Sequence, residues 1–354
     1  MKRISTLILA ALLLAAAIPA AGAEEAGGLS LSCASALLME KETGTVLYDQ
    51  NSHQQLEPAS VTKIMTLLLV MEALDDGRLT PDDLVTVSAN AAGMGGSQVY
   101  LKEGEQMPVR ELIKCVTVVS GNDCAVALAE HLCGSEGAFV AEMNRKAQEL
   151  GMADTNFVNC TGLPADGHVT TAYDIALMSR ELILNHPDIR DYTTIWMDSI
   201  RDGTFGLTNT NRLIRFYEGA TGLKTGSTDS ALYCMSATAE RDGMELIAVI
   251  MKAPTSAQRF EDAKALLDYG FAGYTLVNVY PETPLAPVDV LLGTAAQVQP
   301  QLKEDCRLLV EKRQADQVTT KVTLAQDVEA PVDQGQTLGQ LEVYVGEELQ
   351  KTIP

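Results

Sequence analysis

Apolar and polar positions follow two rhythms along the chain. Residues 35–49 alternate loosely around Glu42-Thr43-Gly44, which predicts a β-hairpin. Glu57-Pro58-Ala59-Ser60 then opens a helical pattern. Ile64, Leu67, Leu68 and Met71 recur at helical spacing inside a nearly continuous apolar run, so a buried helix is expected, ending at Asp75-Asp76-Gly77. Residues 108–132 carry two more apolar helical patches, broken at Ser120-Gly121-Asn122. Residues 136–150 read as an amphipathic helix stopped by Gly151. Residues 172–184 read as another, and its start, Thr171-Ala172-Tyr173-Asp174, resembles a capping box with Asp in the Glu position.

After Gly226 the period changes. Ala231–Ala239 and Met244–Ala253 are apolar runs joined by Arg241-Asp242-Gly243, a hairpin of buried strands, and Arg259–Phe271 reads as one more helix. Strands at both ends with helices between them predict an α+β fold. Its N-terminal hairpin is expected to join the later strands in one antiparallel sheet. Pro281, Pro284 and Pro287 mark a boundary. Beyond them short runs (Val288–Leu292, Cys306–Val310, Val318–Leu324, Leu341–Val345) alternate with turn residues, so 281–354 is read as a small all-β domain. Lys2 and Arg3, the apolar stretch Leu7–Ile18 and Ala21-Gly22-Ala23 together read as a secretory signal peptide over residues 1–23, leaving 24–280 as the main domain and placing the mature protein outside the cytoplasm.

Composition narrows this further. The 354 residues carry 26 basic and 47 acidic side chains, a formal net charge of -21. Removing Lys2 and Arg3 with the signal segment leaves 24 minus 47, or -23. Such acidity argues against a nucleic-acid partner, because phosphate binding needs a surplus of Lys and Arg. No interior apolar run is long enough to span a bilayer. The seven cysteines sit in no CxxC and in no Cys/His cluster of zinc spacing. They are expected to be buried small hydrophobes, and neither a metal nor a cofactor is implied.

Three short motifs carry the chemistry. In Ser60-Val61-Thr62-Lys63, a spacing of three puts Ser60 and Lys63 on one helical face, one turn apart. A serine hydroxyl is a poor nucleophile without a base. Lys63 can be that base only if burial or a neighbouring cation lowers its pKa well below the usual 10.4 or so. Ser120-Gly121-Asn122 falls between two helices. Lys224-Thr225-Gly226 precedes an apolar strand, where a Lys and a Thr can hold a carboxylate and a Gly lets the backbone approach a ligand. Each motif taken singly reads as a helix cap, a turn and a strand edge. In this order and these contexts they form the SxxK, SxN and KTG set of penicillin-recognising serine enzymes.

The text around them, Pro58 to Thr66, Val119 to Asp123, Gly162-Leu163 with His168, Thr171 to Asp174 and Gly222 to Gly226, closely resembles the low-molecular-mass penicillin-binding proteins that act as serine-type D-alanyl-D-alanine carboxypeptidases (peptidase family S11). The resemblance runs from about residue 33 to residue 354 and includes that family's β-rich tail. It implies a β-lactamase/transpeptidase-like catalytic domain. It also implies that Ser60 attacks the carbonyl between two D-alanines of a peptidoglycan stem pentapeptide, that Lys63 takes its proton, and that Ser120 passes a proton to the leaving amine. Asn122 would bind the substrate backbone, and Lys224 and Thr225 its carboxylate. Gly226 belongs to the same motif, and the N–H groups of Ser60 and Ser227 would form the oxyanion hole. Arg259 is a further candidate for the carboxylate, since a fork of donors suits it; its other reading is a residue at a helix N-terminus paired with Asp262 or Glu261. β-Lactams would acylate Ser60 and stay.

Two departures stand out. Ser227-Thr228 occupy the place where the family often has His after KTG. Many members end in an amphipathic membrane-binding helix, and nothing after Leu349 is long enough for one, which leaves membrane contact open. Among competing readings, a class A β-lactamase needs a loop Glu for its deacylating water. Glu181 superficially fits, but it falls inside an amphipathic helix and is expected to face solvent. D,D-endopeptidase action on cross-links would use the same residues.

Overall fold

The computed structural model describes residues 29–281, 283–304 and 306–354, so the signal segment expected over residues 1–23 lies outside the described residues. Strands β1 (Ser35–Glu40) and β2 (Val46–Gln50) form the first hairpin. A 3₁₀ turn, Ala59–Thr62, runs directly into helix α1 (Lys63–Asp75). Strand β3 (Leu84–Thr86), helix α2 (Ala89–Ala92) and strand β4 (Gln106–Pro108) precede four longer helices: α3 (Val109–Val118), α4 (Asn122–Cys133), α5 (Glu136–Glu149) and α6 (Ala172–Asn185). The short α7 (Arg190–Thr193), the hairpin β5 (Met197–Ile200) and β6 (Phe205–Thr208), and α8 (Leu213–Phe216) lead to β7 (Ala220–Thr228), β8 (Leu232–Arg241) and β9 (Met244–Ala253). Helix α9 (Ser256–Gly273) follows.

The expected merger of the two hairpins into one antiparallel sheet is present, with strand order β2-β1-β9-β8-β7. Why β1 and β9 read as continuous apolar runs is visible in their neighbours. Leu37, Met39, Ile247, Val249 and Met251 join the core built around α1. On the opposite face, Leu38 and Leu246 press against α9 so closely that a Cβ on Gly270 would lie 2.8 and 2.5 Å from their methyls. Helices therefore cover both faces, and alternation gives way to uniform hydrophobicity. Helix α1 lies inside the helical layer and is apolar on nearly every side, with Lys63 as its buried cation.

Two local expectations are corrected. Lys224-Thr225-Gly226 does not precede a strand. It lies in the middle of β7, the edge strand, with Lys224 opposite Ser236 and Gly226 opposite Cys234. The ladder to β8 supplies the pairing that this segment, interrupted by Gly222 and Gly226, does not advertise by composition. The capping box at α6 is only half formed. Thr171 Oγ1 accepts from Asp174 N at 3.0 Å, but the Asp174 carboxylate takes Thr155 Oγ1 (2.7 Å) and Asp154 N (3.1 Å), tying the preceding loop to the helix.

The tail is built of strands, as expected. These are β10 (Tyr274–Asn278), β11 (Val288–Leu291), β12 (Gln297–Val298), β13 (Arg307–Glu311), β14 (Val318–Leu324), β15 (Asp327–Glu329), β16 (Gly339–Val345) and β17 (Glu348–Ile353). β10 leaves α9 and pairs with β13, and Val279, Cys306, Leu341, Val343 and Ile353 make a small core. Arg307 reaches Glu42 in the first hairpin at 3.3 Å. Among the described residues no helix is long and apolar enough to cross a membrane.

Because Thr171 is fully buried and its hydroxyl caps α6, Thr171→Ala is expected to cost about 1–2 kcal/mol, measured as a shift in the urea midpoint at constant slope.

Candidate active site

Ser60 sits in the 3₁₀ turn and Lys63 in the first turn of α1, so their side chains share one face as the spacing requires. Lys63 Nζ lies 3.1 Å from Ser60 Oγ. The same ammonium nitrogen donates to Asn122 Oδ1 (2.6 Å) and to the Thr161 carbonyl (2.7 Å), which makes three partners for three donors. Lys63 is completely buried. Burial dominates its surroundings and brings its pKa down to about 7, against the weaker opposing pull of Cys160, Cys124 and Asp123. A lysine poised there is half neutral near pH 7, and a neutral amine at hydrogen-bond distance can take the serine proton.

Asn122 opens α4 and is held on its other side by the Gly95 carbonyl, which accepts from Nδ2 at 2.6 Å, while its backbone N–H reaches Ser97 O at 2.7 Å. Asp123, buried beside it, accepts from Val99 N and Leu101 N, both at 3.0 Å. It thereby fixes the 95–101 loop against the Ser120-Gly121-Asn122 motif. Ser120 has a left-handed φ of 64°, and its Oγ is buried without a hydrogen-bond partner among the described residues. A strained, buried serine hydroxyl with its donor unused is the sort of group that active sites keep.

From the other side comes β7. Gly226 is where the Ser60 turn and the edge strand meet: a Cβ there would lie 2.8 Å from Ser60 N and 2.9 Å from Val61 N. Lys224 is buried, with Nζ 2.9 Å from the Thr225 carbonyl, and Thr225 Oγ1 donates to Thr210 Oγ1 at 2.7 Å. Burial, then Lys63, then Arg259 push the Lys224 pKa well below its ordinary value. Arg259 is not paired with Glu261 or Asp262. The Asp262 carboxylate is taken by Ser32 and Cys33, and Arg259 Nη1 donates instead to the carbonyls of Gly226 (3.2 Å) and Cys234 (3.4 Å). Three buried cations thus converge where an incoming anion would relieve their mutual repulsion. Ser227, next along β7, is exposed.

Sequence reasoning did not find the third wall. The 156–170 loop brings Thr161 O to Lys63. Asn159 Oδ1 folds its tip by accepting from Thr161 N (3.1 Å) and Gly162 N (2.7 Å). Gly162 has φ +82° and passes so near the Ser60 turn that a Cβ would sit 1.8 Å from Ala59 O. The Gly162-Leu163 pair was the available signal, but a carbonyl partner for Lys63 has no side-chain signature. His168, part of the family-like text in the sequence, is buried and neutral here: burial lowers its pKa to about 4.

Glu181 does not face solvent as expected. Its carboxylate is half-buried, within 4.8 Å of ligand atoms of Glu72 and His186. Glu72 is paired with Lys146 at 2.8 Å and His186 with Asp75, so the cluster is an ion-pair network about 13 Å along α1 from Lys63. Six of the seven cysteines are buried, in keeping with their apolar sequence settings.

A three-layer α+β sandwich with a buried lysine against a serine at the head of its central helix defines a serine D,D-peptidase of the penicillin-recognising class. Known proteins agree. The profile of the D-alanyl-D-alanine carboxypeptidase family matches residues 21–255, and that of the C-terminal domain of penicillin-binding protein 5 matches residues 274–354. The chain is 41% identical to D-alanyl-D-alanine carboxypeptidase DacF of Bacillus subtilis (strain 168) across 96% of this chain and 90% of that one. It is 34% identical to DacD of Escherichia coli (strain K12), across 87% and 81%. Penicillin-binding protein 5 from Haemophilus influenzae superposes with a TM-score of 0.79 at 28% identity, covering 92% of this chain and 96% of that one. The ampicillin-bound form of penicillin-binding protein D2 from Listeria monocytogenes does so with 0.64 at 35% identity, covering 69% and 99%. The chain belongs to the D-alanyl-D-alanine carboxypeptidase family of serine hydrolases.

Gly162→Ala is expected to displace the nucleophile turn, because the clash is with backbone and the φ is left-handed. Acylation by a fluorescent penicillin should fall at least 10-fold, in line with the cost of misplacing reacting groups by about 1 Å. Circular dichroism should still report a folded protein.

Proposed function

We propose that the mature protein, exported by residues 1–23, works in the cell envelope on peptidoglycan stem pentapeptides. A catalytic domain and a β-rich domain, whose first strand β10 already starts at Tyr274 ahead of the boundary expected at 281, make up the mature chain. The observation that carries the reading is the 3.1 Å contact between Ser60 Oγ and a Lys63 amine whose pKa is near 7. Ser60 attacks the carbonyl of the penultimate D-alanine as Lys63 takes its proton. The tetrahedral oxyanion is received by the N–H groups of Ser60 and Ser227; in support, a Cβ on Gly226, the residue before Ser227, would lie 2.8 Å from Ser60 N. Such donors typically supply about 10²–10³-fold in rate. Ser120, its hydroxyl uncommitted, delivers a proton to the departing D-alanine amine, and the acyl-enzyme is then hydrolysed by water.

Substrate recognition follows from charge. The terminal carboxylate is drawn to Lys224 and Thr225, and Arg259 contributes its charge while its Nη1 holds Gly226 in place. Asn122 binds the substrate backbone from the facing loop. β-Lactams present the same carboxylate and a reactive carbonyl, so they enter the same path and remain on Ser60.

The test is to incubate the protein with a fluorescent penicillin, map the labelled peptide and assay D-alanine release from a pentapeptide. A slowly released adduct on Ser60 with D-alanine formed is the expected result. Rapid penicillin turnover without D-alanine would overturn it in favour of a lactamase. Ser60→Ala should abolish both label and product.

Acylation requires neutral Lys63. Its rate should therefore rise with pH through about 7 and be lost below it, whereas a lysine of ordinary pKa would place that limb near pH 10. A pH profile of the acylation rate constant checks this.

A further inference from the structure

We propose that His168 is a positioning residue, whose ring ties the turn bearing Ser60 and Lys63 to the loop that supplies the Thr161 carbonyl. The proposal rests on the reading of Ser60 and Lys63 as nucleophile and base. His168 touches neither of them. Its Nε2 lies 2.8 Å from Thr62 Oγ1, and its Nδ1 accepts from Val158 N–H at 3.0 Å. Since Nδ1 accepts a backbone proton, the hydrogen-bond pattern puts the ring hydrogen on Nε2, which donates to Thr62. Thr62 stands between Val61 and Lys63, so the ring grips the chain one residue from the base. Val158 stands three residues before Thr161, so the same ring grips the loop close to the carbonyl that meets Lys63 Nζ.

The rest of the loop shows what this brace is for. Its base is stapled by Leu56 and Thr170, which exchange backbone bonds at 2.8 and 3.0 Å, and by the pair Asn156 and Val169 at 2.9 and 3.1 Å. Its tip presses Gly162 onto Ala59. Between base and tip, the side-chain links to the catalytic helix are Thr66 to Cys160 O at 2.7 Å, His168 to Thr62, and Lys63 itself. Without the ring, the side-chain links left between loop and helix are Thr66 to Cys160 O and Lys63 to Thr161 O, and the second uses the group that must also exchange a proton. A neutral imidazole suits the brace, because both of its partners are uncharged and the site is closed to water.

The charged and titratable neighbours fix the sign of the pH effect. Glu57, before the nucleophile turn, faces His168. Lys63 is faced by Asp123 and Cys124 from α4 and by Cys160 from the loop, and it acts in turn on Lys224 in β7. Burial is the largest influence on Lys63. A loop that lifts and admits water therefore favours the ammonium and moves the onset of acylation to higher pH.

The experiment uses the full chain with His168→Ala, Thr62→Val, the double variant and Ser60→Ala. Penicillin acylation is followed across pH, alongside D-alanine release and thermal melting. The expected result for His168→Ala is acylation lowered roughly 10- to 100-fold near pH 7, with the adduct still on Ser60 and the acid limb displaced upward by about half a unit or more. Thr62→Val, nearly isosteric and foldable if His168→Ala is not, should shift the limb in the same direction. The double variant should be no worse than the more damaging single one. An unmoved limb in both single variants would overturn the proposal, even if melting temperatures fall, because that is a purely structural role. Additive losses in the double variant would overturn it too. Wild-type protein without a Ser60 adduct, or an active Ser60→Ala, would instead sink the underlying assignment of nucleophile and base.

Discussion

Everything at this site depends on keeping one lysine out of water. An exposed Lys63 would be charged at any physiological pH and useless as a base. Moving its pKa from 10.5 to about 7 corresponds to roughly 5 kcal/mol of disfavoured ammonium. The folded protein must supply that from elsewhere. α1 supplies it by lying in the apolar interior, with Ile64, Met65, Leu67 and Leu68 all fully buried around the first two turns. The charge that remains is not left unsatisfied. Ser60, Asn122 and Thr161 take its three donors, so the amine is destabilised as a cation without being orphaned as a polar group.

That requirement explains why three separate segments must meet. The Ser120-Gly121-Asn122 loop brings a side-chain acceptor, the 156–170 loop a backbone acceptor, and β7 a glycine that seals the turn from the strand side. Each approach is close enough to forbid a Cβ. At Gly162 the obstacle is Ala59 O, at Gly226 it is Ser60 N, and at Gly96 it is the Asn122 amide, 2.8 Å away. At Gly162 and Gly226, on the 156–170 loop and β7, the wall is backbone, whereas at Gly96, on the 95–101 loop, it is the Asn122 side chain.

The sequence disclosed side chains far better than it disclosed backbone. Ser60, Lys63, Ser120, Asn122 and Lys224 were legible because their chemistry lies in residue type and spacing, and the helices because their apolar period is strong. Thr161 was not legible, since a carbonyl can belong to any residue. β7 was half-missed because Gly222, Lys224 and Gly226 give little strand signal, and its ladder to β8 is a tertiary fact. Asp174 and Arg259 were misjudged for one reason. Local spacing suggested local partners, Thr171 for one and Asp262 for the other, while the fold offered Thr155 and Gly226. Long polar side chains respond to what packs beside them, which spacing does not contain.

Net charge brings one more physical point. A chain with charge -21 should repel a substrate that ends in a carboxylate, yet the site gathers Lys63, Lys224 and Arg259. Distance resolves this. Surface charges are screened over about 8 Å at physiological salt, whereas buried ones act through a medium that screens far less. The acidic exterior therefore sets the encounter rate, and the buried cations set what is held once contact is made. Adding salt should screen the repulsion and so speed the encounter, while barely touching the second. Recognition here is short-ranged by construction: an arriving carboxylate favours the protonated form of Lys224 that burial disfavours, so the preference for an anion rests on where the basic groups stand rather than on how many the chain carries.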